Sequence, residues 1–286
     1  MKPARLAPFA FVILWSTGFV GAKYGLPYAD PFIFLSIRVF IAAIILLFIA
    51  LALHAPIAIG GTAIKNSALI GFFLHACYLG GVFFAISEGL SAGVAALVTS
   101  LQPVLVSVLA LLFLGEKLKK SQLLGLGLGF GGVILVLAPT FSLDIALTAF
   151  IGIIVALIGS TSATLLQKKI GSDIPLLAGT AYQYLASGAV LAVAALVTGG
   201  TSIQWSAKFI SSFIWLILGL SVGAILLLLW LLNTSSTASV SSLLYLVPPA
   251  TAIEAYFLFG EALSPQGLFG VAITAVGVWL VTKSTN

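Results

Sequence analysis

Charge is what this chain has least of. Only 7% of its residues are Asp, Glu, Lys or Arg, where a soluble domain carries about 25%. That is too little polar surface to cover a water-exposed globule of 286 residues. Cysteine is almost absent too. The single Cys77 sits in an apolar run, which excludes a disulfide framework and reads as a buried small hydrophobe. Two histidines and seven scattered acids provide none of the clusters that a metal centre or hydrolytic site needs, so no metal, no cofactor and no catalytic residue is expected. The net charge of +5 reads as loop lysines facing one side of a bilayer, not as a nucleic-acid surface.

What is there is apolar. The composition is 61% hydrophobic with a mean hydropathy of +1.26, which marks an integral membrane protein. Lys2 and Arg5 ahead of the first apolar stretch resemble a signal peptide, but apolar segments continue along the chain, so the first is expected to be a retained span. A spanning helix needs about 20 mostly apolar residues. Cutting at polar, Pro and Gly clusters predicts ten, at 6–25, 31–53, 66–87, 92–114, 121–139, 147–168, 175–198, 209–232, 238–259 and 266–282. The joins are short, so most of the backbone lies at membrane depth, where self-satisfied helices are tolerated; the Leu- and Ile-rich texture argues against a barrel. The expected class is all-α and polytopic.

The chain is also written twice. A shift of 145 residues carries Pro103 onto Pro248, Gly115-Glu116 onto Gly260-Glu261, Gly125 onto Gly270 and Gly132-Val133 onto Gly277-Val278 without a gap. Two five-span units are expected, residues 1–141 and 142–286. Five is odd, so the second unit enters the membrane from the opposite face, the inverted construction common in secondary transporters. With the N-terminus inside, Lys2, Arg5, Lys65, Lys117, Lys119, Lys120, Lys168, Lys169 and Lys283 fall on the inner side and only Lys23 and Lys208 on the outer. This bias puts both termini in the cytoplasm, and it separates Lys23 from its equivalent Lys168, as inversion requires.

Pro103 and Pro248 fall near the centres of spans four and nine. Proline has no amide hydrogen, so the carbonyls of Thr99 and Leu244 are expected to lack helical donors and to face protein or a wet cavity. The alternative for either proline alone is a bend in a packed helix; the pairing favours hinges around a shared cavity. Gly115-Glu116 and Gly260-Glu261 then read as structural corners, with glycine turning left-handed and glutamate opening the next helix; Ser264 and Pro265 supply a cap and first turn. In span five Gly125, Gly127, Gly129, Gly131 and Gly132 contain a Gly-x-Gly-x-x-Gly pattern by accident, since no strand precedes it; close helix packing is the better reading. Ser235, Ser239 and Ser242 share a helix face and read as a vestibule lining or as bland packing.

Ten spans in two inverted units, each with a proline-centred fourth span ending in Gly-Glu, resemble the drug/metabolite transporter superfamily of EamA type. The aromatic spans and the opening Trp15-Ser16-x-x-Phe19 are similar to its bacterial amino-acid exporters, including those for aromatic amino acids. The resemblance implies a central cavity lined by spans 1, 3, 4, 6, 8 and 9, alternating access by rocking helices, and export of amino acids or related metabolites across a bacterial inner membrane. It leaves room for another metabolite or drug class, moved in either direction. Membrane lipid and a small solute are the expected partners.

For such a pocket the residues singled out are Tyr78, His75 and Tyr245, then Trp15, Ser16, Ser100, Gln102 and Trp230. His75 and Tyr78 are three apart on one helix face, and Ser100 and Tyr245 precede the two prolines by three. Each has a plain alternative: an interfacial belt for Trp15 and Trp230, packing with bonded hydroxyls for the tyrosines, a neutral core histidine for His75. Arg38, inside span two, costs at least roughly 2.5–3.5 kcal/mol at the bilayer centre. It reads as a structural tie to helix-end carbonyls or to an acid such as Glu88, with a substrate-carboxylate clamp as the other reading. Glu254, the acid deepest in a span, has no basic partner identifiable in the sequence. A membrane-embedded enzyme or a channel would need clustered ligands, filter loops or rings of like groups, and none is visible.

Overall fold

In the computed structural model, residues 6–114, 120–137, 147–234 and 243–283 are described. The described residues are helical almost throughout, and their extended pairing is limited to an isolated antiparallel bridge between Ala29 and Ile203. The helices are α1 (Ala7–Gly25), α2 (Pro31–Ala52), α3 (Gly60–Ser87), α4 (Ala92–Thr99), α5 (Gln102–Leu114), α6 (Lys120–Leu137), α7 (Leu147–Ile170), α8 (Leu176–Thr198), α9 (Ala207–Ile214 continuing through Trp215–Ala224 and Ile225–Thr234), α10 (Val247–Phe259) and α11 (Pro265–Lys283). Among the described residues, six helices are long and apolar enough to cross a membrane, namely α1, α2, α3, α7, α8 and α9. Ala92–Val106, Leu123–Val136 and Pro265–Leu280 are shorter apolar helical stretches. At 1.5 Å per residue, the 22 residues of α2 run about 33 Å, a bilayer's apolar thickness.

Local sequence sets the ends. Ser91 and Ser206 open α4 and α9, their hydroxyls accepting the amides of Val94 and Phe209 at 3.2 Å. Gly260 closes α10 at φ +67°, donating its amide to the Tyr256 carbonyl at 3.0 Å. Ser264 then accepts the Gly267 amide at 3.0 Å ahead of Pro265. The expected corner residues Gly115 and Glu116 lie outside the described residues.

The prolines do more than bend a span. The helix stops at Thr99 and restarts at Gln102, so Pro103 is the second residue of α5. Likewise Leu244–Leu246 form a short 3₁₀ turn and Pro248 is the second residue of α10. A missing amide is harmless in a helix's first turn.

Under the 145-residue shift, the bounds of α5 become 247–259, those of α10, and α2 becomes 176–197, against Leu176–Thr198 for α8. Equivalent helices also pack on each other, α2 on α8 and α6 on α11, and both pairs are antiparallel. The start of α2 meets the residues after α8 through Asp30, whose carboxylate accepts the Ser202 amide at 2.8 Å. Further along, the Ser36 hydroxyl donates to the Gly188 carbonyl at 2.9 Å. Glycines bring α6 and α11 into backbone contact: a Cβ on Gly132 would lie 2.5 Å from the Gly270 carbonyl oxygen, and one on Gly277 would lie 2.6 Å from that of Gly125. The shift maps the first of these contacts onto the second.

Among the described residues the core is one large cluster, with Phe34 packed against Phe83, Phe209 and Phe213 near the Lys23 end, and a small separate one around Phe11 and Leu231. The outer faces carry Phe9, Phe48, Leu196 and Phe257, all exposed, as a lipid-facing surface requires.

Candidate functional site

Two features of α3 and α9 shape the middle of the bundle. Phe72–Leu79 and Trp215–Ala224 are π-helical, and the shift places the first at 217–224, inside the second. A π segment widens the helix and turns its side chains out of α-helical register, and such segments concentrate at functional sites. Here they face each other across a cavity of about 100 Å³, with His75 and Tyr78 on one side and Leu220 and Ser221 on the other. Trp15, Phe19, Phe83, Tyr184 and Arg38 complete the principal walls. Trp15, Arg38, His75, Tyr184 and Ser221 each sit within about one turn of the middle of their helix.

A second cavity of about 120 Å³ shares Trp15, Phe19, Leu74 and Tyr78 with the first. It lies on the repeat itself, since Thr99 and Leu244, Gln102 and Val247, and Pro103 and Pro248 are equivalent pairs that all line it. Ser100 lines it as well, its hydroxyl donating to the Leu97 carbonyl at 2.6 Å. Gln102 donates to the Thr164 hydroxyl, tying α5 to α7.

The chemistry of the first cavity is uneven. The repeat does not duplicate its polar groups, since Arg38 corresponds to Gln183 and His75 to Leu220. Arg38 is 3% exposed. Its Nε donates to the Ser221 hydroxyl at 3.0 Å and its guanidinium lies over the Phe83 ring at 5.8 Å, but Nη1 has no hydrogen-bond partner among the described residues. The expected tie from Arg38 to Glu88 is replaced: Glu88 accepts from Thr148 at the end of the bundle, out of reach of a guanidinium held at mid-helix. His75 is 6% exposed, its ring 4.6 Å from that of Tyr184 and beside the Gln183 side chain, with neither ring nitrogen in good hydrogen-bond geometry. Tyr184 donates to the Ser221 carbonyl at 3.2 Å.

Of the residues singled out in the sequence, the structure brings Trp15, His75 and Tyr78 to the first cavity, and Trp15, Tyr78, Ser100, Gln102 and both prolines to the second. The side chain of Tyr245 and the serines 235, 239 and 242 lie outside the described residues. Two residues fall elsewhere. Ser16 is fully buried one position around α1 from the cavity, donating to Glu254 at 2.6 Å across the contact with α10. Trp230, half-exposed beyond the π segment, lines neither cavity. Glu261 pairs with Lys23 of α1. Tyr184 and Ser221 went unread in the sequence, and spans two and seven, outside the lining set implied by the resemblance, contribute Arg38 and Tyr184. The available signal was Arg38 itself, the one guanidinium inside a span.

The profile of the EamA-like transporter family matches this chain twice, over residues 4–138 and 147–283. Among curated proteins, the chain is 28% identical to the uncharacterized transporter YvbV of Bacillus subtilis (strain 168), covering 99% of this chain and 92% of that one. It is 28% identical to the uncharacterized inner membrane transporter YedA of Escherichia coli (strain K12), over 99% and 91%. A probable amino-acid metabolite efflux pump of Salmonella typhimurium (strain LT2) is 25% identical over 94% and 91%. A solved crystal structure of a protein 18% identical in sequence superposes with a TM-score of 0.68, covering 98% of this chain and 96% of the other; at that identity the likeness speaks to the fold alone. The chain is a multi-pass membrane protein, and it belongs to the EamA-like transporter family.

Proposed function

We propose that this protein is a secondary transporter that exports amino acids or related small metabolites from the cytoplasm by alternating access through the paired cavities. In this reading residues 1–141 and 142–286 are two inverted five-helix units forming ten spans, with both termini cytoplasmic in a bacterial inner membrane. The observation that carries it is the position of the site. Cavities lined by repeat-equivalent residues, at mid-helix depth, are where two inverted units exchange access from one face to the other. The antiparallel packing of α2 on α8 and α6 on α11 supports inversion, because equivalent helices of inverted units cross the membrane in opposite directions.

The halves also interlock. Helix α1 packs on α9 and α10, and its equivalent α7 packs on α3 and α5. Rocking α1 and α7 therefore moves each half against the other at the broken helices, where Pro103 and Pro248 leave the fewest backbone bonds to disturb. The Salmonella efflux pump supports the amino-acid reading by its similarity, and the Trp15–Tyr78 wall supplies the apolar surface that such side chains need.

Purified protein in liposomes should exchange labelled amino acids or their metabolites in a saturable counterflow. Tyr78→Ala, at the junction of the two cavities, should reduce it about tenfold or more, the loss of about 1.4 kcal/mol of binding. Absence of exchange across a broad panel of amino acids and related metabolites would remove the reading.

A further inference from the structure

We infer that the Arg38 cavity is a receptor for organic carboxylates, in which Arg38 takes the acid group, the aromatic wall encloses an apolar remainder, and an amino group on the solute is not required. This rests on the transport reading above and narrows its substrate class.

A guanidinium is always charged and offers five donors in a planar fork. One of them, Nε, is held by the Ser221 hydroxyl, which fixes the plane of the fork. The Nη1 donor is buried and unpartnered, and no Asp or Glu lines either cavity among the described residues. Asp30, the acid nearest in sequence, accepts the Ser202 amide at the end of the bundle, Glu88 accepts from Thr148, and Glu254, the acid deepest in a span, accepts from Ser16. A buried cation without a countercharge is costly, and a carboxylate accepting from Nη1 would supply both the charge and the missing hydrogen bond. His75 adds a second buried polar group, held in no well-formed hydrogen bond although the Gln183 side chain lies beside it. As a neutral ring it carries one donor and one acceptor, enough to bond a second oxygen of the same solute.

The same walls disfavour a free ammonium group. It would lie beside Arg38 with no carboxylate to receive it, so a zwitterion gains from its acid end and loses at its amine. Size points to the class of remainder. An apolar cavity of about 150 Å³ accommodates benzene, and the two joined spaces of about 100 and 120 Å³ suit one ring on a short acid chain.

The test uses the full-length protein and three solutes with one ring and one chain length: 3-phenylpropionate, phenylalanine and 2-phenylethylamine. Affinity is read from thermal stabilisation and from competition in counterflow. Expected is binding of 3-phenylpropionate at least as tight as that of phenylalanine, with 2-phenylethylamine about tenfold weaker or worse. Arg38→Gln should weaken 3-phenylpropionate about tenfold and bind 2-phenylethylamine more tightly than the parent protein does, since the like charge is gone. Should that variant fold poorly, Ser221→Ala keeps the charge but frees the fork, and should weaken the carboxylate about threefold. Equal binding of acid and amine, phenylalanine clearly tighter than 3-phenylpropionate, or a folded Arg38→Gln protein with undiminished carboxylate affinity would each overturn the inference. If the protein moves some other solute but binds none of these three, the transport reading stands and the carboxylate receptor falls. If it moves no solute at all, both fall.

Discussion

Ser16 and Lys23, two helical turns apart on α1, meet Glu254 and Glu261, seven residues apart on the α10 side. Each glutamate uses Oε1 and has a buried Oε2 with no partner among the described residues, so each depends on a single α1 side chain. Ser16→Ala removes the donor from Glu254 and should lower stability by about 1.5–3 kcal/mol, the range for a hydrogen bond to a charged group. The control is Ser87→Ala, whose exposed hydroxyl bonds only the Phe84 carbonyl of its own helix and should stay within about 0.5 kcal/mol. Thermal unfolding in detergent compares the two. For the ion pair, Lys23→Met leaves Glu261 without a countercharge, so the single variant should be less stable than Lys23→Met combined with Glu261→Gln; a double-mutant cycle that finds the two losses additive would contradict this. These pairings were not legible in the sequence. Ser16 reads as a pocket residue because a hydroxyl near an opening tryptophan looks the same whether it turns toward the cavity or toward α10.

At the scale of elements, what was legible is whatever a short string of residues enforces. Gly260, Ser264 and Pro265 make the same turn in any context, because left-handed φ, an amide-accepting hydroxyl and a fixed ring act locally. The π segments were not legible. Phe72–Leu79 is an ordinary apolar octet, and its widened turn is selected by packing against α7 and α8. The glycine stripe of α6 was legible as packing but not in its facing, and two neighbours separate the cases. A Cβ at Gly132 would collide with the α11 backbone, whereas one at Gly131 meets nothing within 4 Å. Gly132→Ala should therefore be destabilising, by about 1–3 kcal/mol as an overpacked contact, while Gly131→Ala should be neutral or up to about 1 kcal/mol stabilising through helix propensity. Thermal midpoints of the two variants should move in opposite directions or differ plainly.

For the whole molecule, the proposed inversion has a direct consequence. Helix α7 begins beside Glu88, where Thr148 bonds it, and ends a full helix length away at Lys168. Lys208 stands at the start of α9, beside the segment whose Gln204 amide bonds the Tyr28 carbonyl just past α1, so it shares the Glu88 end with Lys23, the repeat equivalent of Lys168. With Cys77 replaced by alanine, single cysteines at 168 and 208 should react with an impermeant thiol reagent from opposite faces of sealed vesicles, position 208 from the outside. Reaction of both from one face would end the inverted arrangement.

The sequence by itself determined that this chain lives in lipid, that it is helical, that it repeats at 145 residues and where its helices turn. Each of these follows from composition, or from residues whose preferences act over a few positions. Only the tertiary structure decided which polar side chains share a space. Arg38, His75, Tyr184 and Ser221 lie on four different helices, far apart in the chain. Their meeting depends on how an antiparallel α2–α8 pair and two opposed π segments rotate those helices, and in a span that is apolar on every side no hydrophobic periodicity marks which face turns inward.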